Sequence, residues 1–245
     1  SLTGVRSRWK QKLFLGGVLP SDGYYCMFAL RPPLDPIQKF YNSIDDVIDA
    51  AQYLDAKDRD VYFALATFED TDNKLKVSPR GDYHGIDEGR TAANVKYLKS
   101  LFLDLDCGAD KAAAKKGYAN QDDAIAALRI FCKKLNLPKP IVMNSGRGIH
   151  VYWVLSEQIP LDDWLPAASR LKKLCLDNNL LADTGVTADA ARVLRVPATH
   201  NHKDNPPKQV HFLGSATPDP VDFDGFLELL GGGFIEPPRR FDADT

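Results

Sequence analysis

The residues best suited to chemistry fall in three groups. Asp104 and Asp106 close the apolar run Ser100–Asp106 (SLFLDLD). In a strand, alternation puts both carboxylates on one face with Phe102, while Leu101, Leu103 and Leu105 point to the other. Two neighbouring carboxylates repel unless a cation lies between them, and hard oxygen ligands suit Mg²⁺ or Mn²⁺. The second group, Ser145-Gly146-Arg147-Gly148-Ile149-His150, is a glycine turn that ends in a histidine. Glycines let backbone N–H groups face an anion, Arg147 adds charge, and His150 shares a strand face with Tyr152. Together they suit a triphosphate; the plain alternatives are a hairpin turn and a hydrogen-bonded structural histidine. The third group is Asp189–Lys203 (DAARVLRVPATHNHK). Arg192, Arg195 and Lys203 could neutralise phosphates, and Asp189 could be a third metal carboxylate. Asp183 competes for that place, and a solvated surface loop is the alternative for the whole segment.

Positioning these groups requires an interleaved set of strands and helices. Tyr24–Leu30, Val61–Thr67, Ser100–Asp106, Ile141–Asn144, His150–Leu155, Val193–Val196 and Val210–Leu213 read as strands. Ser43 caps a helix whose Ile44, Val47, Ile48 and Ala51 lie on one face, with Asp46 three residues after the cap. Asn120 or Gln121 starts a helix with the stripe Ala124, Leu128, Phe131, Cys132 and Leu135, stopped by Pro138. Leu161–Asp177 places Trp164, Ala168, Leu171 and Cys175 inward, and Asp222–Leu230 is a last amphipathic helix. Asn94–Lys99 is expected to be a short helix, Glu69–Gly89 a polar hairpin-like stretch and Asp110–Gly117 a basic loop. Residues 1–20 carry Arg6, Arg8, Lys10 and Lys12 around Trp9: a solvated terminal helix, or an arm that touches DNA. The class is α+β or α/β. Residues 1–230 are expected to form one catalytic domain. Residues 231–245 (GGGFIEPPRRFDADT) are expected to be a linker leading to a further domain.

The 245 residues are 44% hydrophobic and 26% charged, which excludes a disordered or fibrous chain. A net charge of −2 and a pI near 6.2 leave no global basic footprint, so nucleic acid would be met by local patches such as Lys111, Lys115, Lys116, Lys133 and Lys134. No apolar run approaches the ~20 residues of a membrane span, and no signal peptide opens the chain, so a cytoplasmic location is expected. The four cysteines form no C-x-x-C pair, so neither a disulfide framework nor a zinc site is expected. Cys107 reads as a small filler rather than a nucleophile.

The three groups, in this order, resemble the archaeo-eukaryotic primase superfamily, in particular the primase-polymerases of phages, plasmids and other mobile elements. LFLDLDC (Leu101–Cys107) is similar to its D-x-D motif, SGRGIHVYW (Ser145–Trp153) to its turn ending in His, and Asp189–Lys203 to its R-V-L-R-x-P-G-T-x-N-x-K string. The similarity spans roughly Val61 to Leu213. Gly148 stands where the family often has Ser, and Ala198 where it has Gly. The resemblance implies an α/β half plus a half like an RNA-recognition motif, with the site in the cleft between them. It implies Asp104, Asp106 and Asp189 as ligands of two Mg²⁺ or Mn²⁺ ions. Ser145, Gly146, Arg147, Gly148, His150, Arg192, Arg195 and Lys203 are implied as contacts to the nucleotide. The expected activity is template-directed nucleotidyl transfer from nucleoside triphosphates on single-stranded DNA, with a helicase as a further partner. The alternatives are a metal-dependent nuclease or replication initiator, and a non-catalytic single-stranded-DNA-binding module. His200-Asn201-His202 is similar to the two-His metal site of initiator nucleases, but its middle Asn stands where that site has a bulky apolar residue.

Overall fold

The computed structural model describes residues 2–71 and 89–231. Residues 72–88 and 232–245, which hold most of the polar stretch and the linker, lie outside the described residues. The helices are α1 (Leu2–Val18), α2 (Ile44–Asp55), α3 (Ala109–Ala113), α4 (Gln121–Lys134), α5 (Leu161–Asp177) and α6 (Phe223–Leu229). The long strands are β1 (Tyr24–Arg31), β2 (Leu34–Tyr41), β3 (Asp60–Phe68), β4 (Val95–Asp106), β5 (Ile141–Asn144) and β6 (Gly148–Pro160). Short ones follow: β7 (Val193–Arg195), β8 (His200–Asn201), β9 (Lys208–Gln209) and β10 (His211–Phe212).

One eight-stranded antiparallel sheet runs β10-β5-β6-β4-β3-β1-β2, with β7 also paired to β3; β8 and β9 form a separate ribbon. The fold is therefore α+β, and a single sheet links its two halves. The central pair is β4–β6, whose register sets Asp104 opposite His150 and Asp106 opposite Gly148. Both strands bury near-continuous apolar runs, Leu101–Leu103 and Ile149–Leu155, as strands covered on both faces do.

Helix starts follow their caps. Ser43 Oγ accepts the Asp46 N–H at 3.1 Å and donates to the Asp46 carboxylate at 2.7 Å. The Asn120 side chain accepts the Asp123 N–H at 2.9 Å, and Asp222 caps α6 through the Gly225 N–H. In α4, Ala124, Leu128 and Phe131 are buried. In α5, Trp164, Ala168, Leu171 and Cys175 are buried, and the Trp164 indole donates to Ser100 O at 2.8 Å.

Three expectations are corrected. Asn94–Lys99 is not a helix: after a 3₁₀ turn at Ala92–Asn94, residues 95–106 form one twelve-residue strand. Pairing of Leu98 to both Ala66 and Ile159 overrides the local preference. Within the expected basic loop, Ala109–Ala113 is a short helix. The first helix forms as expected but is not solvated along its second half. Phe14, Leu15 and Val18 are fully buried, and the Phe14 ring meets Phe63, Tyr152 and Phe212 edge-on at 5.0–6.0 Å. Arg8 pairs with Asp45 and Asp49, and Lys12 with Asp45, so these charges serve α1–α2 packing. The Gln11 amide donates to Pro197 O at 2.6 Å, which ties this helix to the segment after β7.

Candidate active site

At the ends of β4 and β6 lies a cleft of about 1170 Å³. Asp104 and Asp106 form its floor, as strand alternation requires. Asp104 is only 17% exposed. Burial, and next the Asp106 charge, push its carboxyl up to about 7, with Asp183 adding to the rise; Arg192 and Lys111 pull the other way. Asp106 is held by the Lys111 ammonium, a cation that the first turn after β4 folds back over the pair.

His150, directly across from Asp104, is nearly fully buried. Burial, then the charges of Arg195 and Arg192, hold its pKa down at about 3. The 3.7 Å approach of His150 Nε2 to Asp104 Oδ1 is therefore not an ion pair: the imidazole is neutral. Its Nδ1 lies 3.4 Å from the Tyr152 hydroxyl, leaving Nε2 toward the cleft. Gly148, across from Asp106, is required by close approach: a Cβ there would sit 2.4 Å from Leu105 O. The missing side chain also keeps the space over Asp106 open.

The glycine turn spends its N–H groups internally. Gly146 N–H donates to Asn144 Oδ1 at 2.7 Å, and Gly148 N–H donates to Ser145 Oγ at 3.2 Å. Gly146 has φ +94°, and its absent Cβ makes room for Asn201, whose amide donates to Ser145 O at 3.0 Å. The backbone cradle expected from Gly146 and Gly148 is thus closed, and Ser145 stabilises the turn. Anion contacts fall to side chains. Arg147 reaches across to Asp204, with bonds of 2.8 and 3.0 Å. Arg195 is buried in a 2.7 Å ion pair with Asp60 and lies over the Tyr62 ring. The buried Nε of Arg192 has no hydrogen-bond partner among the described residues. An orphaned buried donor costs roughly 1–3 kcal/mol, more for a charged group, unless a ligand completes it. Lys203 lines the same wall.

Every site residue expected from the sequence lines this cleft except Asp189. Asp189 closes a turn instead: its carboxylate accepts the Ala191 N–H at 3.0 Å and its carbonyl the Arg192 N–H at 3.2 Å. It thereby orients Arg192. Asp183 is the acid on the cleft wall, because its N–H donates to the Asp104 carbonyl at 2.8 Å. The sequence signal for it was present: an acid after the apolar Leu180–Ala182 run. Asp60, Asn201 and Asp204 were missed because their roles depend on partners at least 50 residues away.

The donor set fits a hard dication, with carboxylate oxygens aimed into a polar cleft and a lysine already drawn to one of them. Among the described residues, the three ligand-type side chains whose atoms all lie within 4.8 Å of one another are elsewhere: Asp55, His200 and His202. Cys107 is no nucleophile, since burial and then Asp106 push its thiol up to about 11. Tyr25 and Trp153 are buried in the core, so neither is open to stack on a base. No described helix is long and apolar enough to cross a membrane.

No family model and no curated protein matches the chain. Solved structures do. The primase-polymerase domain of cyanophage S-2L superposes with a TM-score of 0.61 at 16% identity, over 91% of this chain and 97% of that one. The primase RepB′ gives 0.56 at 12% identity, over 93% of this chain and 62% of the longer one. The RepB′ catalytic domain in complex with initiator DNA gives 0.55 at 12% identity, over 93% of each. The chain has the fold of the archaeo-eukaryotic-type primase-polymerases found in phages and plasmids.

Proposed function

We propose that the protein is a DNA primase-polymerase that uses nucleoside triphosphates on single-stranded DNA. One observation carries this reading. The β4–β6 register faces two acids with a neutral histidine and a glycine at the floor of a cleft that also holds an unsatisfied arginine donor. A phosphodiesterase needs the acids but has no use for the neutral histidine and the open arginine donor, which suit a triphosphate.

Asp104, Asp106 and Asp183 would hold divalent cations, with Asp183 replacing Asp189 in the set the sequence suggests. Bound there, Mg²⁺ or Mn²⁺ would lower the pKa of the attacking 3′-hydroxyl and neutralise the leaving pyrophosphate. Lys111 holds Asp106 until phosphate arrives, then is free to turn to it. His150 Nε2, fixed and neutral, contacts a phosphate oxygen, and Arg192 Nε donates to the same triphosphate. Lys203 and Arg147 flank the entrance, where template and nucleotide meet. Asp189 keeps Arg192 in place through the turn.

The test is synthesis on circular single-stranded DNA without primer, with Mg²⁺ or Mn²⁺ and labelled nucleotides, beside Asp104→Ala. Labelled oligomers from the unmutated protein alone would support the proposal, and ribo- or deoxyribonucleotide preference is read from the same gel. Extension of a primed template only would reduce it to a polymerase. Inactivity on both would overturn it in favour of a nuclease or binding module.

A further inference from the structure

The segment that carries Asn201 and Lys203 into the cleft has a second face. Alternation along His200-Asn201-His202 sends the two imidazoles to the side opposite Asn201. There they meet Asp55, the last residue of α2. His200 Nδ1 lies 2.9 Å from Asp55 Oδ2 and His202 Nε2 lies 2.9 Å from Asp55 Oδ1. The His200 N–H also donates to Asp55 Oδ1 at 2.8 Å. His202 is pinned on its main-chain side by a 2.9 Å bond from its N–H to Asp60 Oδ1, the carboxylate that holds Arg195.

We propose that Asp55, His200 and His202 form a binding site for a zinc-class dication, separate from the acids of the cleft. Bonds of ~2.0–2.2 Å arranged tetrahedrally set ligands about 3.3 Å apart; each imidazole lies 2.9 Å from a carboxylate oxygen, and the three ligand atoms all lie within 4.8 Å of one another. Two imidazoles and one carboxylate are a zinc-type donor set, and they favour Zn²⁺, Co²⁺ or Ni²⁺ over Mg²⁺. Asp55 and His202 are about nine-tenths buried, whereas the His200 side chain is 42% exposed and leaves a fourth position to water. His202 also borders a second cavity of about 390 Å³, which offers an entry route. An ion here joins the C-terminal end of α2 to the strand that holds one wall of the cleft. Its effect is to fix Asn201 and Lys203.

The test is Zn²⁺ titration of the metal-stripped protein, with excess Mg²⁺ present to occupy the carboxylates of the cleft. About one equivalent should bind, and Co²⁺ should show the visible bands of a tetrahedral site. His200→Ala and His202→Ala should each weaken Zn²⁺ by more than the ~10–100-fold typical of losing an outer-shell partner, while Asp104→Asn leaves it unchanged. Circular dichroism without metal checks that the variants fold; His200, half exposed, is the safer of the two. No uptake by the unmutated protein, equal uptake by both histidine variants, or loss in Asp104→Asn would each overturn the site.

Discussion

At the residue scale, two buried groups in the cleft pull stability in opposite directions with pH. Asp104 has its carboxyl raised from 3.8 to about 7, so the folded state holds a proton that the unfolded state releases. Its contribution is favourable at low pH and is lost as pH rises from about 4 to about 7. His150 is lowered from 6.5 to about 3, so it opposes folding as pH falls below about 6.5. Between pH 4 and 6.5 the two slopes partly cancel. Asp104→Asn removes one of them. In chelator, the variant should be more stable than the parent at pH 7.5 by up to roughly 4 kcal/mol, the free-energy equivalent of a rise from 3.8 to about 7, and the gap should close toward pH 4. Parallel thermal-melt curves across that range would contradict it. Ala198 gives a second case. It stands in the left-handed region at φ +63°, where a Cβ costs roughly 1–2 kcal/mol, and glycine's greater unfolded entropy returns about 0.5–1 kcal/mol of any gain. Ala198→Gly should therefore raise stability by up to about 1 kcal/mol in urea unfolding, with the strand after it unchanged.

At the scale of elements, α1 is a structural clasp. Phe14 fills the space between β3, β6 and β10, so Phe14→Ala should cost about 3–5 kcal/mol, read as a lower urea midpoint. Trp9→Ala, on the exposed side, should change it by less than about 0.5 kcal/mol. The clasp was hidden in the sequence because its basic residues dominate the first half, and their acidic partners on α2 are more than 30 residues away. α4 was legible because cap, stripe and stop signal agree within one segment; α2 had cap and stripe, and α5 its stripe alone, with no side-chain cap and Pro166 inside it. β2 was not: Pro36 argues against a strand, and the residue is tolerated only because β2 is an edge. The short strands β8 and β9 carry no pattern of their own and exist by pairing, whereas β10 falls within the expected strand Val210–Leu213. The cleft was legible for the same local reason as α2, since D-x-D sits on one strand and the His turn joins two neighbouring ones, β5 and β6. Asp183 and Asp189 could not be separated that way. Which acid faces inward is decided by a turn, with Asp183 N–H on Asp104 O and the Asp189 carboxylate on Ala191 N–H.

For the whole molecule, a net charge of −2 makes long-range steering of DNA weak, so the field inside the cleft decides affinity. That field is mixed. Asp106 offsets Lys111, and Asp204 is shared between Arg147 and Lys208, which leaves one positive charge over. Lys203 has no ion-pair partner among the described residues. Asp104, Asp106 and Asp183 would repel a template phosphate until cations fill them. Mg²⁺ ordinarily weakens protein–DNA binding by competing for phosphates; here it should strengthen it. At constant ionic strength, Mg²⁺ should raise the affinity for a fluorescent single-stranded oligonucleotide, measured by anisotropy. In the Asp104→Asn/Asp106→Asn variant the gain should vanish, and its affinity in chelator should exceed the parent's. Lys203→Ala should flatten the log–log salt slope by about 0.7, the share of one phosphate contact on a single strand. If Mg²⁺ weakened binding equally in parent and variant, the acids would not face the nucleic acid, and the template path would have to lie outside this cleft.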